Sequence, residues 1–186
     1  MSVTKTQIEN VQIDYGIVYT NYGETDSAKL SPCRGGGEFS VDNKIRDIEF
    51  DGSNGKTKGM QVIEEINATL KVTVLDTSIK TLALAMPYAT LSGDGTELSP
   101  YVLTCKSSDI GIIADESYLK NVTMFAKTLK GEYRKITLYN ALVEGKFGFK
   151  AVAKKEGEIE LEFNAHWDAT DDTKDLYKIE TVASIA

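Results

Sequence analysis

The stretch KKEGEIELEFNAHWD, residues 154–168, places Glu158, Glu160, Glu162, Asn164, His166 and Asp168 at every second position. In an extended strand that spacing puts all six on one face, because successive side chains point to opposite sides. Ile159, Leu161, Phe163, Ala165 and Trp167 fall on the other face. Carboxylates two residues apart on a strand stand about 6.6–6.8 Å from each other, near the short end of the roughly 6.5–9.5 Å used by inverting glycoside hydrolases. An acid–base pair of that kind needs unequal surroundings to separate its pKa values, and a row of carboxylates on one wet face has equal ones. The row therefore reads as a solvated strand face, and Glu158, Glu160 and Glu162 as its acidic lining.

Other chemistry-bearing stretches fall short of their motifs. GSNGKT, residues 52–57, has the Gly-Lys-Thr of a phosphate-binding loop, but that motif needs glycine five residues before the Gly-Lys pair. Phe50 stands there, and no helical pattern follows. DATDD, residues 168–172, offers oxygen ligands without the central glycine and closing glutamate of a calcium loop. His166 is the sole histidine, so a zinc site built on several imidazoles has no material. Arg34 next to Gly35, Gly36 and Gly37 has the composition of an anion nest, although a turn accounts for the glycines equally well. No constellation of an active site assembles, and no enzyme or cofactor is expected.

The elements that must position these residues follow from composition and periodicity. The chain has 186 residues, 41% hydrophobic and 26% charged, enough for one domain with a real core. Nine Tyr and six Phe beside many Val, Ile and Thr favour strands. A formal charge of −7 gives no electrostatic attraction for nucleic acid or anionic lipid. No signal peptide is visible in MSVTKTQIEN and no apolar run approaches the length of a membrane span. Cys33 and Cys105 have no CxxC spacing and are expected to stay reduced, in a chain made in a cytoplasm.

Residues 11–19 alternate as a strand, and 31–39, with Pro32 and three glycines, read as a break. Short strand pieces follow at EFSV and IRDIEFDG. Residues 51–59 read as an exposed loop excursion and 66–74 as a strand with Ile66, Ala68, Leu70, Val72 and Val74 inward. One helix, Thr77 to Met86, is expected behind an N-cap at Asp76 or Thr77, ended by Pro87. YLKNVTMFAKTL and EYRKITLYNALV read as a strand pair turning near Gly131, and LYKIETVASI as the last strand. The expected fold is mostly β with one flanking α-helix, a sandwich or barrel. It is a single domain over residues 1–186, with a loop excursion at 51–59 and an N-terminal arm at about 1–10.

For the acidic row the sequence predicts a hairpin closed by Lys155-Glu156-Gly157. Its register sets Lys154 against Glu158, Val152 against Glu160 and Lys150 against Glu162. On the other face Phe149 meets Phe163 and Ala153 meets Ile159, each pair worth about 0.2–1 kcal/mol.

Two stretches carry a family resemblance. ITLYNALVEGKFGFKAVAKKEGEIELEFNAHWDATDDTKDLYKIE resembles the end of major tail proteins from long-tailed bacteriophages of Gram-positive hosts, through the LYNAL strand end, the F-x-A-H-x-D-x-T-D segment and YKIE. GGGEFSVDNKIRDIEFDG together with GKTKGMQVIEEINATLKVTV is similar to that family's amino-terminal half. Where the family often has proline after the aspartate of the closing segment, this chain has Ala169. The resemblance implies a β-sandwich or barrel of the tail-tube type that stacks as six-fold rings into a hollow tube. DNA would pass through without specific binding, and partners would be the tape-measure, tail terminator and tail-tip proteins, in a virion assembled in the bacterial cytoplasm. It also implies that Glu158, Glu160 and Glu162 face the lumen and that Asp51, Ser53, Asn54, Lys56 and Lys58 contact the next ring. The competing class is a β-sandwich binding module for carbohydrate or a cell-surface protein, for which Tyr19, Tyr22, Tyr88 and Tyr101 would supply an aromatic patch.

Overall fold

The computed structural model describes residues 3–14, 16–149 and 153–185. The chain is mostly β and sandwich-like, as the periodicity requires. A short helix α1 (Lys5–Glu9) precedes β1 (Ile17–Thr20), β2 (Ala28–Leu30), β3 (Cys33–Asp47) and β4 (Gln61–Val74). Helix α2 (Ile79–Ala85), a two-stranded ribbon of β5 (Thr90–Ser92) and β6 (Val102–Thr104), then β7 (Leu119–Lys127), β8 (Tyr133–Val143), β9 (Ile159–Asn164) and β10 (Tyr177–Val182) complete it. The main sheet runs β2-β1-β7-β8-β9-β4-β3, with β10 also on β8.

Strand β8 belongs to both layers of the sandwich. Residues 133–138 pair with β10, whereas Leu142 and Val143 pair with β9. Between them Asn140 takes φ +46°, a left-handed conformation that asparagine tolerates better than most residues. Its amide donates to the carbonyl of His166 at 3.2 Å, which ties the corner to the end of β9. The core lies between the layers. Val18, Val122, Met124 and Leu138 face Leu70, Val72, Val74, Ile159, Leu161 and Phe163, all nearly fully buried.

The register explains the alternation of residues 158–164. Val74 pairs with Ile159, Val72 with Leu161 and Leu70 with Phe163, so every second residue of both strands enters the core. The expected hairpin partner is corrected: β9 is bordered by β4 and β8. Phe149 is 54% exposed, Lys154 sits in a turn with φ +61°, and Lys150 and Val152 lie outside the described residues. A hairpin gains only its own pairs, whereas β4 offers β9 a complete apolar ladder with a core behind it. Trp167 is also placed differently, since β9 ends at Asn164 and the indole is 57% exposed.

The glycine run at 35–37 does not break the chain. Gly35 and Gly36 take positive φ, and the register slips between Arg34 and Gly37, a bulge that lets β3 continue for 15 residues. Gly37 is required for space as well, because a Cβ there would lie 2.6 Å from the Met124 sulfur. EFSV and IRDIEFDG are therefore parts of one strand. By contrast the strand expected over 11–19 begins only at Ile17, after Gly16 at φ +83°, and Val11 and Ile13 are exposed.

Helix α2 starts later than the spacing indicates. Ser78 is its N-cap, accepting from the Thr81 amide. Asp76 braces that cap by accepting from the Ser78 amide at 2.9 Å, the Ser78 hydroxyl at 3.0 Å and the Thr81 hydroxyl at 2.9 Å. These bonds, the Ser78 amide first, hold its carboxyl below the usual range. Thr81 and Ala85 are the buried helix residues, while Leu82 is half-buried against the core. Leu82→Asp is accordingly expected to cost about 1–3 kcal/mol, read as a lowered melting temperature. An unchanged melting temperature would show that α2 does not cover the sheet.

Candidate assembly surface

The outer face of the β3-β4-β9 layer carries the acidic row. Alternation assigns to it the carboxylates Glu38, Asp42, Glu64, Glu65, Glu158, Glu160 and Glu162 and the cations Arg34, Lys44, Arg46 and Lys71. Seven acids against four bases leave it formally negative by three. The row is not bare. Lys71 lies across β4 from Glu162, 3.1 Å away, and this hydrogen bond is the first cause of its raised pKa. Arg34, supplied by the bulge, holds Glu158 and also Glu156 at 3.0 Å. Glu156 is kept below the ordinary carboxylate range by its own backbone amide and then by Arg34.

The expected partners Lys154 and Lys150 are thus replaced by Arg34 and Lys71 for the reason that moved the strand: β4 and β3, not residues 150–154, lie alongside β9. Glu160 faces Thr73 and makes no ion pair among the described residues. It borders a shallow groove with Glu144 and Glu162, the most negative part of the face.

The loop at 51–59 is the tip of a long arm. Beyond Val41 and Ala68 the β3–β4 ribbon leaves the body, since the β9 ladder ends at Thr69. Six further residues of β3, at about 3.3 Å each, carry it roughly 20 Å outward. Its outer face is charged and internally paired, with Lys44 on Glu65 at 3.1 Å and Arg46 on Glu64 at 2.5 Å. The face that continues the core side holds Val41, Ile45 and Ile63, which are 38%, 47% and 59% exposed. Near the tip Ile48, Phe50 and Met60 are exposed too. The tip is closed by the Ser53 and Thr57 hydroxyls donating to the Gly55 carbonyl and by Lys56 on Asp47 at 3.7 Å. It joins two strands rather than a strand and a helix, so it lacks the architecture of a phosphate cradle. Of the loop residues expected to act, Asp51, Ser53, Asn54, Lys56 and Lys58 all lie on this tip. The apolar pattern of Met60, Val62, Ile63 and Ile66 was the missed signal of the arm behind it.

The remaining candidates have structural partners. His166 contacts the Asn140 carbonyl through Nδ1 at 3.1 Å and Glu144 through Nε2 at 3.0 Å, with the Tyr118 ring at 5.2 Å; it staples the bend of β8. Asp168 and Asp171 spend their oxygens on the amides and hydroxyls of Thr170 and Thr173, and Asp168 also on Lys174 at 2.6 Å. The Lys174 ammonium is the leading reason that Asp168 titrates well below the carboxylate range. Among the described residues no group of His, Cys, Asp and Glu is placed to hold a metal ion. Cys33 and Cys105 are free thiols. Tyr19 and Tyr22 pack edge-on against Phe125, and Tyr101 covers Gly95 beneath Lys80, so the four tyrosines do not form one platform. No helix is long and apolar enough to cross a membrane.

No family model matches the chain, and no curated protein matches it either. Among solved structures it is similar to a chain in the virion of a native gene transfer agent particle, with 9% identity and a TM-score of 0.44 over 82% of this chain and 92% of that one. It is similar also to a chain in the tail of an empty gene transfer agent particle with C6 symmetry, with 8% identity and a TM-score of 0.41 over 83% and 92%.

Proposed function

We propose that this chain is a structural protein of a phage-like tail, stacking as hexameric rings into the tail tube through which DNA leaves. The observation that carries the reading is the arm: a two-stranded ribbon with one face of Val41, Ile45 and Ile63 uncovered. A lone ribbon is marginal in water, and an uncovered apolar face of this kind marks a contact with another protein. Strands β2, β3 and β10 add open edges, which are a liability unless paired. Edge-to-edge pairing around a rotation that closes gives a ring, and an arm reaching out of the ring gives a stack. The tip residues Asp51, Ser53, Asn54, Lys56 and Lys58 then meet the next ring. Tape-measure, terminator and tail-tip proteins are the further partners.

In this reading the face bearing Glu158, Glu160 and Glu162 lines the lumen. Its net negative charge repels phosphates at close range, within the roughly 8–10 Å that salt leaves unscreened, and so prevents the adhesion a basic channel would give. Glu160, without a cationic partner among the described residues, is its most exposed test position. In assembled tubes Glu160→Cys is expected to react with a bulky maleimide much more slowly than an outer-wall cysteine; equal rates would refute the lumen placement.

Electron microscopy of the purified protein over a concentration series tests the function itself. Rings or hollow tubes of six-fold symmetry are the expected result. A monomer that stays monodisperse at high concentration, and that neither assembled tails nor an initiator complex recruits, would overturn it.

A further inference from the structure

We infer that the segment Ile110–Ile113 of one copy seats in the apolar groove beside α2 of a second copy. This deepens the self-assembly reading and rests on it. Residues 104–116 form an excursion almost wholly on the surface, and in it Ile110 and Ile112 are 84% and 101% exposed. Two isoleucines flanking Gly111 with no cover are an unfilled knob.

The same chain carries a matching hole. Two adjoining hollows of about 370 Å³ each share Lys80, Leu84 and Leu119. One adds Leu30 and Val74, the other Ala83 and Val143. The segment does not fold back into this groove, although Glu116 and Ser117, only a few residues on, stand at its rim.

Charge chooses the occupant. Asp109, Asp115 and Glu116 flank the isoleucines, and Lys29 and Lys80 flank the groove; none of the five makes an ion pair among the described residues. The acids already in the groove are engaged, Asp26 by the Asn21 amide and Asp76 by Ser78 and Thr81. The β3–β4 arm is the other apolar candidate, but its charges pair with one another, so it brings no acids for the two lysines. A knob and hole at different places on one surface make a heterologous contact, which closes into a ring or continues as a filament.

The test uses the full chain with Cys105→Ser. Ile112→Cys and Ala83→Cys proteins are oxidised singly and mixed; a cross-linked dimer is expected only in the mixture. No mixed dimer, or an equal yield from Ile112→Cys alone, would overturn the contact. Ile112→Asp is expected to weaken self-association at least about tenfold. Lys80→Glu should weaken it too, and Asp115→Lys in the Lys80→Glu chain should restore it. Tubes that grow normally from Ile112→Asp would overturn this contact and leave the tube reading intact. A mixed cross-link confined to closed dimers, without rings, would keep the contact and overturn the tube.

Discussion

Replacing Ile45 and Ile63 together by aspartate is expected to abolish tube growth while leaving the subunit's melting temperature nearly unchanged. The two side chains face each other across the arm and are already 47% and 59% exposed, so the free subunit loses little buried area. Surface changes away from packed features stay within about 0.5 kcal/mol. In an assembly the same positions would be covered, and two desolvated charges at the centre of an interface weaken it by orders of magnitude, at several kcal/mol. Deletion of Ser53 to Thr57 is expected to act the same way at the tip, because it shortens the arm's reach and leaves the body untouched. Sedimentation and microscopy read the assembly, and thermal melting reads the fold. Normal-length tubes from both variants would remove the arm from assembly. A collapsed melting temperature would instead show that the arm belongs to the fold of the subunit.

The second large effect lies inside the subunit. Phe163→Ala is expected to cost about 3–5 kcal/mol, a fall of roughly 6–20 °C in melting temperature for a chain of this size. Phe163 is fully buried, pairs with Leu70 on one side and Val143 on the other, and so touches both neighbours of β9. Removing the ring opens a cavity where the two layers meet, and regular strands on both sides cannot collapse into it. Glu160→Ala, three residues earlier on the opposite face, is expected to leave stability within about 0.5 kcal/mol. Comparison of the two melts separates the faces of one strand. Equal effects would mean that residues 158–164 are not arranged as described.

Much of this was legible in the chain, and the reason is local. The period of two in residues 158–164 and 66–74 dictated which side chains enter a core, because strand geometry alone fixes alternation. Leu70, Val72, Val74, Ile159, Leu161 and Phe163 were all assigned inward and all are buried. The turn near Gly131 and the pairing of residues 119–127 with 133–141 were equally readable, since a short connection leaves adjacent strands few other partners. The helix beginning near residue 78 and ending before Pro87 was readable from its spacing, to within a residue or two.

What failed were statements about partners distant in sequence. A row of glutamates carries no mark of whether Lys150 and Lys154 or Arg34 and Lys71 stand opposite it; that was decided when β4 displaced the local hairpin by offering a longer apolar ladder. Glycines 35–37 have the composition of a break in any local reading, and became a bulge because β4 holds the strand on either side of it. The arm was hidden for a related reason. Val41, Ile45 and Ile63 alternate like core residues, and only the end of the β9 ladder at Thr69 leaves them uncovered. Local periodicity thus determined which face of each strand is apolar, while the tertiary structure alone decided which of those faces a neighbouring strand already covers and which are left for another copy.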